Sequence, residues 1–116
     1  MCASKTKKIR PTQGILRYAP RDALIPERLG GGILKELVEQ DCSGKLLHYA
    51  VAYINPLIFA GDNGRVLGYD NAHGYPHRHY FGTITPEPDM AWVDIRARFE
   101  QEWRMIALDF LKGNVE

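Results

Sequence analysis

The sequence predicts an α+β domain: a four-stranded antiparallel meander sheet with one long C-terminal helix packed on one face. Two patterns carry that expectation. Between Ile33 and Thr85, runs rich in strand-forming residues alternate with Gly, Asp, Asn and Pro clusters. From about Ala91 the apolar residues change to intervals of three and four, the period of a helix face. Size agrees with both, because 116 residues with 45% hydrophobic and 25% charged content can bury one core without disulfide or metal staples.

Taken in order, residues 1–14 are polar and basic, broken by Pro11 and Gly14, and read as a disordered tail. Residues 15–116 read as a single domain, of which 15–32 form an irregular arm interrupted by Pro20, Pro26 and Gly30-Gly31-Gly32, with one short helical turn after Asp22. Leu34, Leu37 and Val38 fit a helical stripe. The short run and the turn Asp41-Cys42-Ser43-Gly44 favour a strand over 33–40 instead. Its hairpin partner is Lys45–Asn55, with Leu47, Tyr49, Val51 and Tyr53 on one face. Pro56 interrupts this ladder, and Leu57–Ala60 would resume it. Asn63-Gly64 is a strong hairpin signal, after which Arg65–Asp70 forms the third strand and His77–Thr85 the fourth. Trp92, Ile95, Phe99, Trp103, Ile106 and Phe110 then make the helix stripe that covers the sheet, and Gly113 ends it. Asp94 with Arg98 and Glu100 with Arg104 are i,i+4 pairs on its polar sides.

Net charge is +1, which names no partner, although six basic and no acidic residues precede Asp22. Two cysteines make no disulfide framework. There is neither the apolar run of a signal peptide nor a stretch long enough to span a bilayer. A cytoplasmic setting without membrane attachment is therefore expected. No sequence motif calls for a cofactor.

Chemistry concentrates in the hairpin Gly68–Gly82, which carries three of the four histidines. A loop with an even number of residues would pair Ala72 with His77, Asp70 with His79 and Gly68 with Phe81. Asp70, His77 and His79 would then project from one side of the sheet, with Arg78 and Tyr80 on the other. A carboxylate beside two imidazoles is suited to proton transfer. Metal-independent RNA cleavage would need one histidine as base, the other as acid, Asp70 to fix a tautomer, and a cation such as Arg65 or Arg78 for the phosphorane charge. The same strand supports a metal reading, with His77 and His79 as ligands and His73 or Asp70 closing the site. A structural explanation stands beside both: histidines near a turn commonly donate to backbone carbonyls, and Asp70-Asn71 can simply form an Asx turn. His48, isolated on its strand, reads as a packed or hydrogen-bonded residue.

The run Asp62–Gly82, with its Tyr-Asp-Asn-Ala-His-Gly core and His-x-His, resembles the signature of the TumE-like family of bacterial toxins, formerly a domain of unknown function. Gly44–Asn55 and Arg98–Trp103 fit the same pattern, and the similarity extends over roughly 33–112. The resemblance implies a small cytoplasmic toxin encoded beside an antitoxin that usually bears a helix-turn-helix domain, and it implies no particular chemistry. The matching positions are Tyr69, Asp70, Asn71, His73, His77 and His79, which adds Tyr69, Asn71 and His73 to the candidate substrate contacts. The arm before Ile33 departs from the pattern. The leading reading is an RNA-directed toxin and its rival a non-enzymatic protein-binding module; the clustering of imidazole favours chemistry, the lack of a strong basic stripe argues against tight nucleic-acid binding, and a homodimer through the exposed sheet face suits either.

Overall fold

The computed structural model describes residues 15–113, with side chains from residue 21 onward. The expected disordered tail, 1–14, lies outside the described residues. Six strands, β1 (Ile15–Leu24), β2 (Ile33–Asp41), β3 (Leu46–Ile54), β4 (Arg65–Asp70), β5 (His77–Tyr80) and β6 (Thr83–Pro86), precede one helix, α1 (Trp92–Leu111). The strands follow one another in the sheet in chain order, each antiparallel to the last. The class is the expected α+β meander with a C-terminal helix. The strand count is not.

Both additional strands have a local cause. β1 occupies the stretch read as an irregular arm. Its pairing moves from Tyr18↔Val38 to Arg21↔Glu36, so one extra residue of β1 is accommodated around Pro20. A bulge on an edge strand is where a proline is tolerated, and it also destroys the alternation that would have advertised the strand. The arm's short turn is present as a 3-10 turn, Glu27–Leu29. β6 arises because the expected fourth strand folds back on itself at Phe81 (φ 47°) and Gly82 (φ 84°). Phe81 is an improbable residue for left-handed backbone, so only Gly82 signalled the turn. Packing holds it there: the Phe81 ring meets Phe59 edge-on at 5.7 Å, and its N–H donates to the Val66 carbonyl at 2.8 Å.

The β2–β3 turn forms as expected around Asp41, whose Oδ1 accepts from Ser43 N, Ser43 Oγ and Lys45 N at 2.9, 2.6 and 2.9 Å. Cys42 within it is disulfide-bonded. Leu57–Ala60 does not resume the strand. Asn55 winds the chain instead: its carbonyl accepts from Ile58 N and Phe59 N, its Oδ1 from Leu57 N, and its Nδ2 reaches the Gly30 carbonyl at 2.9 Å.

Helix α1 buries Ile95, Phe99, Trp103, Ile106 and Ala107 on the sheet face that carries Tyr49, Val51, Tyr53, Leu67 and Tyr69. Trp103 packs on Tyr53 at 5.4 Å between ring centres, and Trp92 on Tyr49 at 5.7 Å. Gly30 lets the 3-10 turn approach the helix, since a β-carbon there would sit 2.6 Å from Ala107 Cβ. The Glu100–Arg104 pair forms at 3.5 Å. Arg98 turns away from Asp94 to Glu87 at 2.6 Å and Glu102 at 3.7 Å. Gly113 (φ 78°) ends the helix as expected. The opposite sheet face carries Leu37, Ala50, Ala52, Gly68, Asp70, His77 and His79, by alternation along β2 to β5.

Candidate metal centre

The loop between β4 and β5 has six residues, so its even parity is as expected. The register is displaced by two: Asp70 pairs with His77 rather than His79, Tyr69 with Arg78, and Gly68 with His79. The 3-10 turn Ala72–Gly74, with His73 in left-handed backbone (φ 65°), takes up the difference. Parity alone decides the face, so Asp70, His77 and His79 still project from the same side.

There the three side chains meet. Asp70 Oδ1 lies 2.7 Å from His77 Nε2 and accepts from Ala72 N at 3.0 Å, which is the anticipated Asx turn. Asp70 Oδ2 lies 3.0 Å from His79 Nε2. One ligand atom from each residue falls within 4.8 Å of the other two. His77 Nδ1 is 3.1 Å from the Tyr75 carbonyl, and its ring packs between Tyr75 and His79 at centroid distances of 5.1 and 4.9 Å. Both histidines are buried, at 5% and 6% exposure.

Proton accounting shows the tension in this cluster. His77 has acceptors on both sides, the Tyr75 carbonyl and the Asp70 carboxylate, and both contacts are hydrogen bonds only if both ring nitrogens carry hydrogen or Asp70 supplies the proton. His79 faces Asp70 with Nε2, while its buried Nδ1 meets no hydrogen-bond partner. Burial, followed by the charge of Arg65, holds the His79 imidazole below its ordinary pKa against the opposing pull of Asp70.

Arg65 joins the group from the start of β4. Its Nη1 is 3.9 Å from Asp70 Oδ2, while Nε and Nη2 donate to the two oxygens of Asp62 at 2.8 and 3.2 Å. That pairing holds the Asp62 carboxyl below its usual range. Gly68 makes this path available. A β-carbon there would stand 3.0 Å from Arg65 Cδ and 3.3 Å from the Val51 carbonyl oxygen, so the arginine stem lies across bare backbone.

The other candidates are placed elsewhere. Tyr69, expected as a substrate contact, is buried on the helix face, and its hydroxyl donates to Glu102 Oε1 at 2.6 Å. Burial and then Glu102 push its phenol well above the ordinary value. Arg78, also expected at the site, points to the same side, donating to Tyr69 Oη at 3.1 Å and to Glu102 Oε2 at 3.2 Å. Asn71 spends its amide on β3, accepting from Tyr49 N at 3.0 Å and donating to the Leu47 carbonyl at 2.9 Å. His73 is exposed in the turn and outside the ligand cluster, so Asp70 replaces it in the metal set drawn from His73, His77 and His79. His48 is hydrogen-bonded, as expected, to Glu39 Oε1 at 2.8 Å. Asp62 and Glu102 escaped notice in the sequence. The first looked like part of a turn; the second stood four residues after Arg98, a spacing that could have flagged it.

Comparison with family models, curated proteins and solved structures finds no match to this chain. The resemblance to the TumE-like toxins therefore stands on the sequence motif alone.

Proposed function

We propose that Asp70, His77 and His79 form a divalent-metal centre of the two-imidazole, one-carboxylate kind, with coordination positions left for water or substrate. The observation that carries this reading is that donor atoms from two buried imidazoles and a carboxylate lie within 4.8 Å of one another. A cation there removes the conflict at His77, whose Nε2 lone pair can then face the metal while Nδ1–H stays on the Tyr75 carbonyl. His77 is already set for ligation: its Nδ1–H to the Tyr75 carbonyl is the outer-shell bond that orients metal-bound histidines. Donors at about 2.0–2.1 Å from a tetrahedral metal lie about 3.3 Å apart. The two imidazoles lie 2.7 and 3.0 Å from different oxygens of Asp70, and the three ligand atoms lie within 4.8 Å of one another, so ligation opens the carboxylate contacts and draws the widest pair together by up to about 1.5 Å. The donor set suits zinc or ferrous iron.

Metal-independent acid–base cleavage is the weaker reading of the same residues. It needs an imidazole nitrogen within reach of substrate. Here three ring nitrogens face internal acceptors, and the fourth, His79 Nδ1, is buried.

Zinc titration of chelator-stripped protein by calorimetry tests the centre. The expected result is about one equivalent per chain, with affinity lowered about tenfold or more in Asp70→Asn and His77→Ala. His79→Ala loses less, because His79 has no acceptor for Nδ1–H when Nε2 binds metal. No uptake of zinc, iron or manganese would reduce the cluster to a charge-assisted hydrogen bond.

A toxin role is a second reading, favoured because the three residues that converge belong to the motif carrying the TumE-like resemblance. Growth arrest on expression, relieved by the neighbouring gene product and abolished by His77→Ala, is the expected outcome; harmless expression removes the toxin reading and leaves the metal centre.

A further inference from the structure

We infer that Arg65, beside the Asp70–His77–His79 centre, and the metal held there together form an oxyanion subsite, and that the centre's ligand is a phosphate ester. This rests on the metal reading of the preceding section and specifies what the metal would meet. The guanidinium has a divided role: Nε and Nη2 are held by Asp62, leaving Nη1 as the group turned toward Asp70. A fixed guanidinium a few ångströms from a dication is unfavourable by itself and becomes favourable when an anion bridges the two. Phosphoryl oxygens suit both partners, since one oxygen can take the open metal position while another accepts from the arginine N–H.

The surroundings indicate an ester rather than free phosphate. Arg65 and Asp62 also line a groove of about 470 Å³ on the same sheet face, floored by Leu37, Ala50, Ala52 and Ile54 and bordered further out by Asp22, Lys35 and Glu36. Ala50 pairs with Asp70 and Ala52 with Gly68, so the small side chains lie directly beside the centre. Residues this small leave room over the middle of the sheet for a planar or apolar substituent. The phosphate would be anchored at Arg65 while its organic part lay across the two alanines.

Cobalt-loaded protein provides the test, because the visible spectrum of cobalt reports its ligands. Inorganic phosphate should change the spectrum, and phenyl phosphate should do so at about tenfold lower concentration, through burial of its ring. Arg65→Met should weaken both anions about tenfold or more at unchanged cobalt stoichiometry, with Arg65→Lys intermediate. Ala52→Leu should erase the advantage of phenyl phosphate and leave inorganic phosphate binding intact. The stoichiometry doubles as a folding check for each variant. Cobalt uptake without a phosphate response, or a response indifferent to Arg65→Met, overturns the subsite alone. Equal affinity for the two anions overturns the ester assignment. Failure to take up cobalt overturns the metal centre and the subsite with it.

Discussion

Replacing Asn71 by alanine separates a fold-holding residue from a substrate contact. Its side chain extends the β3–β4 ladder past the end of β4, accepting from Tyr49 N at 3.0 Å and donating to the Leu47 carbonyl at 2.9 Å. Alanine removes both bonds and leaves a partly buried donor and acceptor without that partner. At a net worth of about 0.5–1.5 kcal/mol each, the loss is about 1–3 kcal/mol. In a domain of this size that lowers Tm by roughly 4 °C or more per kcal/mol. Urea unfolding followed by circular dichroism measures it, with zinc affinity of the folded fraction measured in parallel. Asn71→Asp sharpens the result. Its carboxylate can still accept from Tyr49, but its second oxygen faces the Leu47 carbonyl, so its folded pKa rises above the unfolded value of about 3.9. The protonated form is the stable one. The stability gap to the parent chain should be smallest below that unfolded value and widen as pH rises through the folded pKa. A stability loss in Asn71→Ala below about 0.5 kcal/mol, smaller than one ordinary hydrogen bond, would refute the reasoning.

Other substitutions follow from the same contacts. Trp103→Ala empties the space against Tyr53 and should cost about 3–5 kcal/mol in urea unfolding. His73→Gly relieves a left-handed backbone and should add about 1 kcal/mol while leaving zinc affinity unchanged; a drop in affinity would return His73 to the metal set. Tyr69→Phe strips one partner from Glu102 and Arg78 beneath the sheet and should cost about 1–2 kcal/mol, again without loss of zinc binding in calorimetry.

Much of the fold could be read because its signals are local. The helix stripe from Trp92 to Phe110 and the third strand Arg65–Asp70 have their expected places, since each rests on a period that tertiary packing reinforces. What escaped was non-local. The extra residue of β1 near Pro20 cancels its alternation, and the Phe81-Gly82 turn depends on an aromatic contact with Phe59, which comes from a distant loop. The candidate site shows the same division. That Asp70, His77 and His79 share a face follows from parity, which an error of two in register does not disturb. Which partners the neighbouring side chains choose does not follow from parity. Tyr69 and Arg78 face away by the same parity, but that Glu102 of the helix receives them, and that the backbone of β3 absorbs Asn71, depends on tertiary contacts. Arg65 reaches Asp70 only because Gly68, read in the sequence as an ordinary strand residue, has no side chain to block it.

Zinc K-edge absorption of the loaded protein bears most directly on the central assignment, because it reports the donor atoms themselves. The account predicts two imidazole nitrogens and carboxylate or water oxygens at about 2.0–2.2 Å, with one imidazole contribution lost in His77→Ala. A sulfur donor, or a shell of oxygens alone that is unchanged by that substitution, would place the metal elsewhere and contradict it.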